Sequence, residues 1–424
     1  MKQTTSGGLL PLLKKHYLLI GGALFFVIGT VIRFLLRDLP SGDSTLFLVP
    51  WYHEIQDGGG LQYLGHQVGD YNILYQTLIA LFTYLPLQPL HAYKLFSCCF
   101  DVLLALLTAW IVYRVSEQRP ELCALAAFTM IYLSPIVCIN SAWWAQCDAI
   151  YTFFGLAALY LLSKKQDLTA FLLYGVSMTF KLQAIFLMPV MLFVVFCRKK
   201  RHLFYVLLIP AVMVILSSAG LAAGRRITDV FSIYLNQTSS YHAVALNYPS
   251  VWGLLSDTGH LINYFSGHEA VSAEQLYDFI KYPAILITGA ALAVLMLLWL
   301  KKKAVIDLKS ILMMAFLLCY TCVIFLPSMH ERYGYVYEIL ALIIAFFNRR
   351  TISLVIIMYC VTLITYIHFL SDNYFVPISI LSVINIVIYI LYIRWIHQAL
   401  FPKNNDSQPP EMSRFQLHEH LTAV

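Results

Sequence analysis

Residues 37–70 read RDLPSGDSTLFLVPWYHEIQDGGGLQYLGHQVGD and form the first polar stretch after the first apolar segment of the chain. Five acidic residues, two histidines and four aromatic residues lie in this stretch, whereas most of the sequence after it is apolar. The contrast indicates a chain that runs mainly through a membrane and emerges in one long polar loop. A loop so rich in carboxylates at a membrane surface is typical of a functional site rather than of a connector.

The composition of the whole chain supports this interpretation. Of its 424 residues, 60% are hydrophobic and only 12% are charged, whereas a soluble domain carries roughly 25% charged residues. Lipid offers the backbone no hydrogen bonds, so long apolar runs must be helices. The composition therefore predicts an all-α polytopic membrane protein. The net charge of +6 does not indicate nucleic acid, because the basic residues form short clusters between apolar segments.

Twelve apolar segments are long enough to be membrane spans, since a span needs about 20 apolar residues and somewhat fewer inside a bundle. The predicted spans are 17–36, 93–115, 122–138, 148–163, 168–180, 183–197, 203–223, 277–300, 307–326, 333–347, 351–370 and 374–395. Lys14 and Lys15 place the N-terminus in the cytoplasm, because cytoplasmic loops carry the excess of basic residues. Alternation from there leaves eight of the 28 lysines and arginines outside: Arg33, Arg37, Lys94, Lys181, Arg225, Arg226, Lys281 and Arg332.

Residues 71–87 are apolar enough to be a further span. Counting them as one would reverse every later loop and place the basic clusters 198–201 and 301–303 outside, against the positive-inside bias. We therefore interpret 71–87 as an amphipathic or partly embedded helix on the outer face, stopped by Pro86 and Pro89.

This threading predicts a single integral-membrane domain, 1–400, with a long first outer loop that carries short membrane-surface helices. The outer loops are 37–92 and 224–276. Residues 401–424 are mixed polar residues with the pair Pro409-Pro410, typical of a disordered tail, which the threading places in the cytoplasm.

The turn after the third span combines amide, indole and carboxylate side chains. Asn140, Trp143, Trp144, Gln146 and Asp148 all lie in it. Asp148 could simply cap the next helix, and two tryptophans at an interface are often membrane anchors. In the functional interpretation, the indoles stack on a sugar face or an isoprenoid chain. The amides and the carboxylate then hydrogen-bond sugar hydroxyls.

Two further outer turns carry basic side chains. Lys181 and Gln183 interrupt an apolar stretch, where a lysine costs about 3 kcal/mol on insertion scales unless it snorkels or meets an anion. The functional alternative to snorkelling is a ligand for a lipid phosphate.

In the second turn, Arg332 can hold a phosphate bidentately, with His330 as a second donor. Glu331 either orients these two or forms an ordinary surface ion pair. A divalent metal on His330, Glu331 and the first-loop acids is an alternative that no ligand spacing supports.

Charged residues also fall inside the predicted spans. Asp101 and Glu338 are intramembrane carboxylates, which are either functional or hydrogen-bonded between helices. Arg33 lies near the outer end of the first span, where pairing with Asp38 or Asp43 would hold the loop.

Taken in order, these motifs resemble the GT-C superfamily of polytopic glycosyltransferases, which use polyprenyl-phosphate sugars. More narrowly, the chain resembles bacterial proteins related to the second mannosyltransferase of GPI-anchor synthesis and to dolichyl-phosphate-glucose glucosyltransferases. The matching motifs are Ser41-Gly42-Asp43 with Pro50-Trp51-Tyr52, Gly69-Asp70-Tyr71-Asn72, Trp144-Ala145-Gln146-Cys147-Asp148, Lys181-Leu182-Gln183 with Pro189, and Met329-His330-Glu331-Arg332-Tyr333. One departure is Ala145, where relatives usually have glycine.

The resemblance implies that an acidic residue early in the first outer loop, here Asp43, is the catalytic base. Asp70, and then Asp38 or Glu54, are the alternatives. Substrate or donor binding is expected from Arg33, Trp51, Tyr52, Asp70, Asn140, Trp143, Trp144, Gln146, Asp148, Lys181, Gln183, His330, Glu331 and Arg332. No cofactor is expected besides the lipid-linked co-substrate.

The predicted function is therefore transfer of a hexose, such as mannose or glucose, from a polyprenyl-phosphate donor to a lipid-linked or cell-envelope glycan on the outer face, with inversion. The expected partners are the bilayer, the donor and a glycan or glycolipid acceptor, without nucleic acid. A bacterial plasma membrane is favoured over the endoplasmic reticulum with a lumenal site. The competing class is a multi-pass transporter or a flippase of lipid-linked sugars, since broken helices and intramembrane charges also occur there.

Overall fold

The computed structural model describes residues 9–237, 242–256 and 273–402, and most of these residues are helical. Their only β-type pairing is an isolated pair of bridges from Leu246 and Asn247 to His330. The α-helices are α1 Leu9–Leu36, α2 Val49–Asp57, α3 Ile73–Phe82, α4 Pro89–Val115, α5 Pro120–Tyr132, α6 Pro135–Cys138, α7 Asp148–Ser163, α8 Asp167–Phe180, α9 Met188–Arg198, α10 Leu208–Leu216, α11 Ser218–Ala222, α12 Ile227–Gln237, α13 Gly253–Ser256, α14 Ala273–Lys301, α15 Leu308–Phe325, α16 Tyr335–Phe347, α17 Ile352–Ser371 and α18 Ile378–Leu400.

Tighter and wider helical turns connect several of these helices. The 3₁₀ segments are Gly60–Gly65, Leu182–Leu187, Lys200–Leu207 and Arg349–Thr351. The π-helical segments are Ser44–Leu48 and Ile139–Trp143. The predicted tail beyond residue 402 lies outside the described residues, as do residues 238–241 and 257–272 of the second predicted outer loop.

Six helices of the described part are long and apolar enough to cross a membrane. They are His16–Leu36, Pro89–Val115, Glu274–Lys301, Leu308–Phe325, Arg349–Ser371 and Ile378–Leu400. A seventh span results if α5 and the segment Pro135–Trp143, bent by 44° relative to each other, are counted together. The prediction of an all-α membrane protein is thus confirmed at the level of class. The count of twelve spans stays a prediction, because α7, α8, α16 and the segment 182–198 are shorter apolar helices.

The distribution of apolar side chains fits a lipid environment. Leu19 of α1 and Phe279 and Leu286 of α14 are large apolar residues that point away from the rest of the protein. By contrast, α15 is apolar all round and 83% of its apolar window is buried. A helix of this kind belongs in the centre of a bundle, whereas α1 and α14 expose the kind of face that lipid covers.

The predicted helix at 71–87 is present but short. Helix α3 has ten residues and is therefore about 15 Å long, roughly half the hydrocarbon thickness of a bilayer. Asn72 caps it, because its side-chain oxygen accepts from the backbone N–H of Ile73 at 2.7 Å. The Asn72 amide nitrogen donates to the carbonyl of Val230 in α12 at 3.1 Å, which ties the first predicted outer loop to the second.

The predicted break at residues 181–183 is also present. Helix α8 ends at Phe180, and Lys181 has an extended backbone before the 3₁₀ segment Leu182–Leu187. Helices α7 and α8 pack against each other, and Lys181 at the end of α8 meets Asp148 at the start of α7. The two helices are therefore antiparallel and present polar residues at the same end.

This end of the bundle gathers the termini of several helices. The segments after α1, α8 and α15 and the last turns of α17 contribute to one cavity, together with the segments before α7 and α16 and the first turns of α14. Alternating helices thus place their polar connections together, and the cavity opens among these connections.

Candidate active site

The carboxylate of Asp43 is held at one oxygen atom only. Its Oδ2 accepts hydrogen bonds from Trp144 Nε1 and Gln146 Nε2, both at 2.9 Å, and lies 3.6 Å from Arg332 Nη1. Within ranges 9–237, 242–256 and 273–402, no hydrogen bond or ion pair reaches Oδ1. The side chain lines the cavity and is 19% exposed. One oxygen is therefore fixed in orientation and the other is open to a ligand.

The turn that supplies two of these donors has an unusual backbone. The π-helical segment Ile139–Trp143 runs into Ala145, which has φ +64° in the left-handed region. Trp144 is fully buried and stacks on Phe369 with ring centroids 4.7 Å apart. Its carbonyl accepts from the hydroxyl of Ser41 at 3.2 Å. Packing and hydrogen bonds thus fix the turn against the loop that carries Asp43.

Arg332 combines satisfied and unsatisfied donors. Its Nη1 lies 3.3 Å from Glu331 Oε1 as well as near Asp43, and its guanidinium lies 5.2 Å from the ring centroid of Trp144. Its buried Nε has no hydrogen-bond partner among the described residues. Burial lowers the pKa of Arg332, but Asp43 and Glu331 raise it more, so it stays charged. Arg332 therefore keeps a charged N–H directed at no protein acceptor.

The two residues before Arg332 carry shifted pKa values. Burial raises the pKa of Glu331 to about 7, against the opposing effect of Arg332. Burial, Arg332 and Lys181 lower the pKa of His330 well below its usual range. His330 is thus a neutral imidazole at pH 7, able to donate one N–H, while Glu331 titrates near neutrality.

A buried ion pair stands next to this group. Lys181 Nζ lies 2.5 Å from Asp148 Oδ1, and Asn140 Nδ2 donates to Asp148 Oδ2 at 2.7 Å. Asp148 is the first residue of α7 and makes no cap hydrogen bond, so the helix-cap alternative is wrong. Lys181 is buried and paired, so the snorkelling alternative is wrong as well. It lines the cavity beside Asp43.

The cavity onto which these groups open has a volume of about 630 Å³, within the range of small-molecule sites. Its charged and amide-bearing lining residues are Asp43, Asp70, Gln146, Lys181, Gln183, Gln237, Lys281, His330 and Arg332. Its other side chains are largely apolar or aromatic: Leu46, Phe47, Leu48, Trp51, Tyr71, Phe180, Leu182, Ile185, Phe186, Tyr277, Ile285, Leu326, Pro327, Met329, Tyr333 and Phe369.

Two buried amide oxygens in the wall have no protein donor. Gln146 Oε1 and Gln183 Oε1 are unsatisfied within the part of the chain that the structure describes. A buried acceptor left unpaired costs about 1–3 kcal/mol. Both amide side chains belong to the polar part of the cavity wall.

The remaining predicted binding residues divide into two groups. Trp51 and Asp70 line the cavity, and burial raises the pKa of Asp70. Tyr52 and Trp143 do not line it: the Tyr52 hydroxyl donates to the carbonyl of Phe82, and Trp143 Nε1 donates to that of Pro40. These two support the loop rather than face a ligand.

The alternative bases are placed differently from Asp43. Asp38 is 62% exposed and pairs with Arg37 at 3.2 Å and with His91 at 2.8 Å. Glu54 is exposed and accepts a hydrogen bond from Tyr63. Neither lines the cavity, so among the alternatives only Asp70 shares it with Asp43.

The predicted partner of Arg33 is wrong. Arg33 is buried and contacts Asp101 through Nε and Nη2, both at 2.8 Å, rather than Asp38 or Asp43. Ser141 also donates to Asp101, at 2.5 Å. Arg33 does not line the cavity. The second intramembrane carboxylate, Glu338, accepts from Thr362 at 2.6 Å, so both acids are bonded between helices.

Several cavity residues were not predicted as site residues. Tyr277, Lys281 and Ile285 contribute one face of α14, and Phe369 comes from α17. Lys281 is one of the eight basic residues that the threading places outside, and this position was the signal that could have identified it. The aromatic and aliphatic residues resemble any other span residue in sequence.

Within the described ranges, no group of three or more His, Cys, Asp or Glu side chains is arranged to hold a metal ion.

A family model described as Glycosyltransferase family 87 matches residues 71–326. The match includes Gln146, Lys181 and Lys281, whereas Asp43 precedes it and Arg332 follows it. A search of curated proteins found no match. The narrower relationship to GPI-anchor and dolichyl-phosphate-glucose enzymes stays a prediction. Because the match spans more than half of the chain, this protein belongs to glycosyltransferase family 87 and is a GT-C-type membrane glycosyltransferase.

Proposed function

We propose that this glycosyltransferase moves a hexose, such as mannose or glucose, from a polyprenyl phosphate to a hydroxyl of a lipid-linked or cell-envelope glycan, with inversion. One observation carries the proposal. Asp43, a carboxylate with one open oxygen, lies 3.6 Å from Arg332 in a cavity that has both polar and apolar walls. Membership of the family supports the transferase class, and the geometry supports the roles below.

The chemistry requires a base and cations but no general acid, because the phosphate of the donor is already a good leaving group. The acceptor oxygen forms a bond to the anomeric carbon while the bond from that carbon to the phosphate oxygen breaks. Asp43 takes the acceptor proton, and polyprenyl phosphate leaves with the bonding electrons. A single displacement of this kind inverts the anomeric centre.

In this mechanism Oδ1 of Asp43 is the atom that accepts the proton. Trp144 and Gln146 hold Oδ2 at 2.9 Å each and so direct the open oxygen to the cavity. A base whose orientation is fixed before the substrate arrives needs no rearrangement during the reaction. Trp144 therefore acts through Asp43, although its ring does not line the cavity.

The departing phosphate would be met by Arg332, Lys181 and His330. Arg332 lines the cavity, and a charged guanidinium suits a developing phosphate charge. Lys181 is held in place by Asp148, which Asn140 orients in turn. Neutral His330 would supply an N–H without adding charge, and Glu331 orients Arg332.

The sugar and the lipid would occupy different walls. The side-chain amides of Gln146 and Gln183 would hydrogen-bond sugar hydroxyls, and the ring of Trp51 would cover a sugar face. The apolar lining, including Phe47 and Ile185, suits the polyprenyl chain. Asp70 remains as an additional polar contact.

The site would face the outer side of the membrane. The helix ends that form the cavity all belong to the side opposite the basic clusters 198–201 and 301–303 in the twelve-span threading. The resemblance to bacterial GT-C proteins favours a bacterial plasma membrane. The endoplasmic reticulum with a lumenal site is the alternative.

Incubation of purified protein with labelled polyprenyl-phosphate sugars and glycolipid acceptors tests the proposal. A product with a new glycosidic bond and the opposite anomeric configuration, determined by NMR, is the expected result. In vesicles, accumulation of sugar inside would indicate a transporter, and movement of intact donor across the bilayer without product would indicate a flippase. Either result would refute the proposal.

A further inference from the structure

The cations of the cavity are not equally available to an anion. Lys181 is paired with Asp148, and Arg332 lies near both Asp43 and Glu331. These carboxylates already balance both positive charges. A phosphate that relied on these two residues alone would enter a site without excess positive charge.

Lys281 differs from them. It lines the cavity, yet no carboxylate of the described residues lies within ion-pair distance of its ammonium group. Its nearest aromatic contact is the ring of Tyr277, with Nζ 5.4 Å from the centroid. A cation among apolar walls is costly unless a charge partner is present, and a single cation–π contact at a partly exposed site offsets little of that cost.

The lining residues of the cavity differ in burial. The buried lining residues are of both kinds, since Gln146 is 2% and Lys181 7% exposed, and Leu48 and Phe186 are buried as well. The most exposed lining residues are apolar, with Ile185 at 42%, Ile285 at 46% and Leu46 at 69%. Lys281 is intermediate in burial, as are Asp43 and Arg332.

Helix α14 forms the wall between this cavity and the surrounding lipid. Tyr277, Lys281 and Ile285 are spaced four residues apart and so share one face. Phe279 and Leu286 point away from the protein. A lipid chain that leaves the cavity past α14 would pass from protein into bilayer without crossing water.

We propose that Lys281 binds the phosphate of the lipid-linked donor and supplies the positive charge that the paired cations do not. This inference rests on the proposed function. The donor has the order sugar, phosphate, chain. With the sugar beside Asp43 and the chain at the exposed apolar rim, Lys281 is the lining cation that has no carboxylate partner among the described residues, and it is free to meet the phosphate between them.

Binding of a polyprenyl phosphate and of the matching polyprenol, in neutral detergent, tests the assignment. Wild-type protein is expected to prefer the phosphate by about 10- to 100-fold, the worth of a charge-assisted hydrogen bond. Lys281→Gln should reduce this preference to less than about threefold, while Lys281→Arg retains it. Lys301→Gln is the matched control, because Lys301 lies at the other end of the same helix and outside the cavity.

Retained binding of the polyprenol shows that the Lys281→Gln protein is folded. A Lys281→Gln variant that keeps the wild-type preference would overturn the assignment.

The phosphate of an ordinary phospholipid is the other source of the same chemistry, so binding is repeated with excess phosphatidylglycerol or phosphatidylcholine. Loss of the preference with phosphatidylglycerol alone would also overturn it. Wild-type protein that shows the preference but forms no glycosidic bond would refute the proposed function and leave the phosphate site standing.

Discussion

Replacement of Asp43 by asparagine separates catalysis from binding. The asparagine oxygen can still accept from Trp144 and Gln146 at the position of Oδ2, so the side chain keeps its orientation. Its NH₂ group then occupies the position of Oδ1 and donates to the acceptor hydroxyl instead of taking its proton. Loss of a general base costs about 10²- to 10⁴-fold in kcat, or about 2.7–5.4 kcal/mol in the activation barrier.

Donor binding is expected to respond in the opposite direction. Asp43 lies 3.6 Å from Arg332, so removal of its charge frees the guanidinium for the donor phosphate. The Kd of a polyprenyl phosphate should therefore be unchanged or lower. Single-turnover transfer and equilibrium donor binding, measured on the same preparation, separate the two effects. Asp38→Asn is the control, because Asp38 is an exposed residue of the same loop outside the cavity. A kcat within threefold of wild type in Asp43→Asn, or an equal loss in donor binding, would refute the assigned role.

Three further outcomes follow from the site. Ala145→Gly should raise the free energy of unfolding by about 0.5–1 kcal/mol, and with it the melting temperature in detergent, because glycine adopts the left-handed φ of +64° without strain. Ala158→Gly, inside α7, should lower the melting temperature. With the pKa of Glu331 raised to about 7, donor affinity should rise as the pH falls from 8 to 6, because protonation of Glu331 leaves Arg332 near one carboxylate instead of two. Glu331→Gln should make donor affinity independent of pH over this range. A wild-type affinity that is already independent of pH would contradict the role given to Glu331. Lys181→Met leaves buried Asp148 unpaired and should cost about 3–5 kcal/mol in thermal unfolding, with partial recovery on addition of Asp148→Asn.

The polar segments of the site could be predicted because they interrupt apolar sequence. Asp43, Gln146, Lys181 and Arg332 stand out in this way, and the structure brings all four to one cavity or its edge. The positive-inside bias was sufficient to assign these segments to the same side of the membrane, since it needs only the positions of the basic residues. Their individual roles remain predictions that the experiments above test.

What could not be predicted depends on how helices pack. In sequence Arg33 lies much nearer to Asp38 and Asp43 than to Asp101, and only the three-dimensional packing of the helices brings Asp101 to it. Tyr277 and Phe369 resemble any other span residue until the cavity defines which face they present. The bend of 44° between α5 and the segment Pro135–Trp143 falls at Pro135, a helix-breaking residue inside a stretch whose hydropathy is continuous.

The two π-helical segments have a consequence for the length of the chain. Ser44–Leu48 follows Asp43, and Ile139–Trp143 precedes Trp144. Each wide turn holds one residue more than an α-turn would. Deletion of a single residue there would tighten the turn and rotate the flanking side chain by about 100°, separating carboxylate from indole with every participating residue still present. The site is therefore sensitive to residue spacing as well as to residue identity.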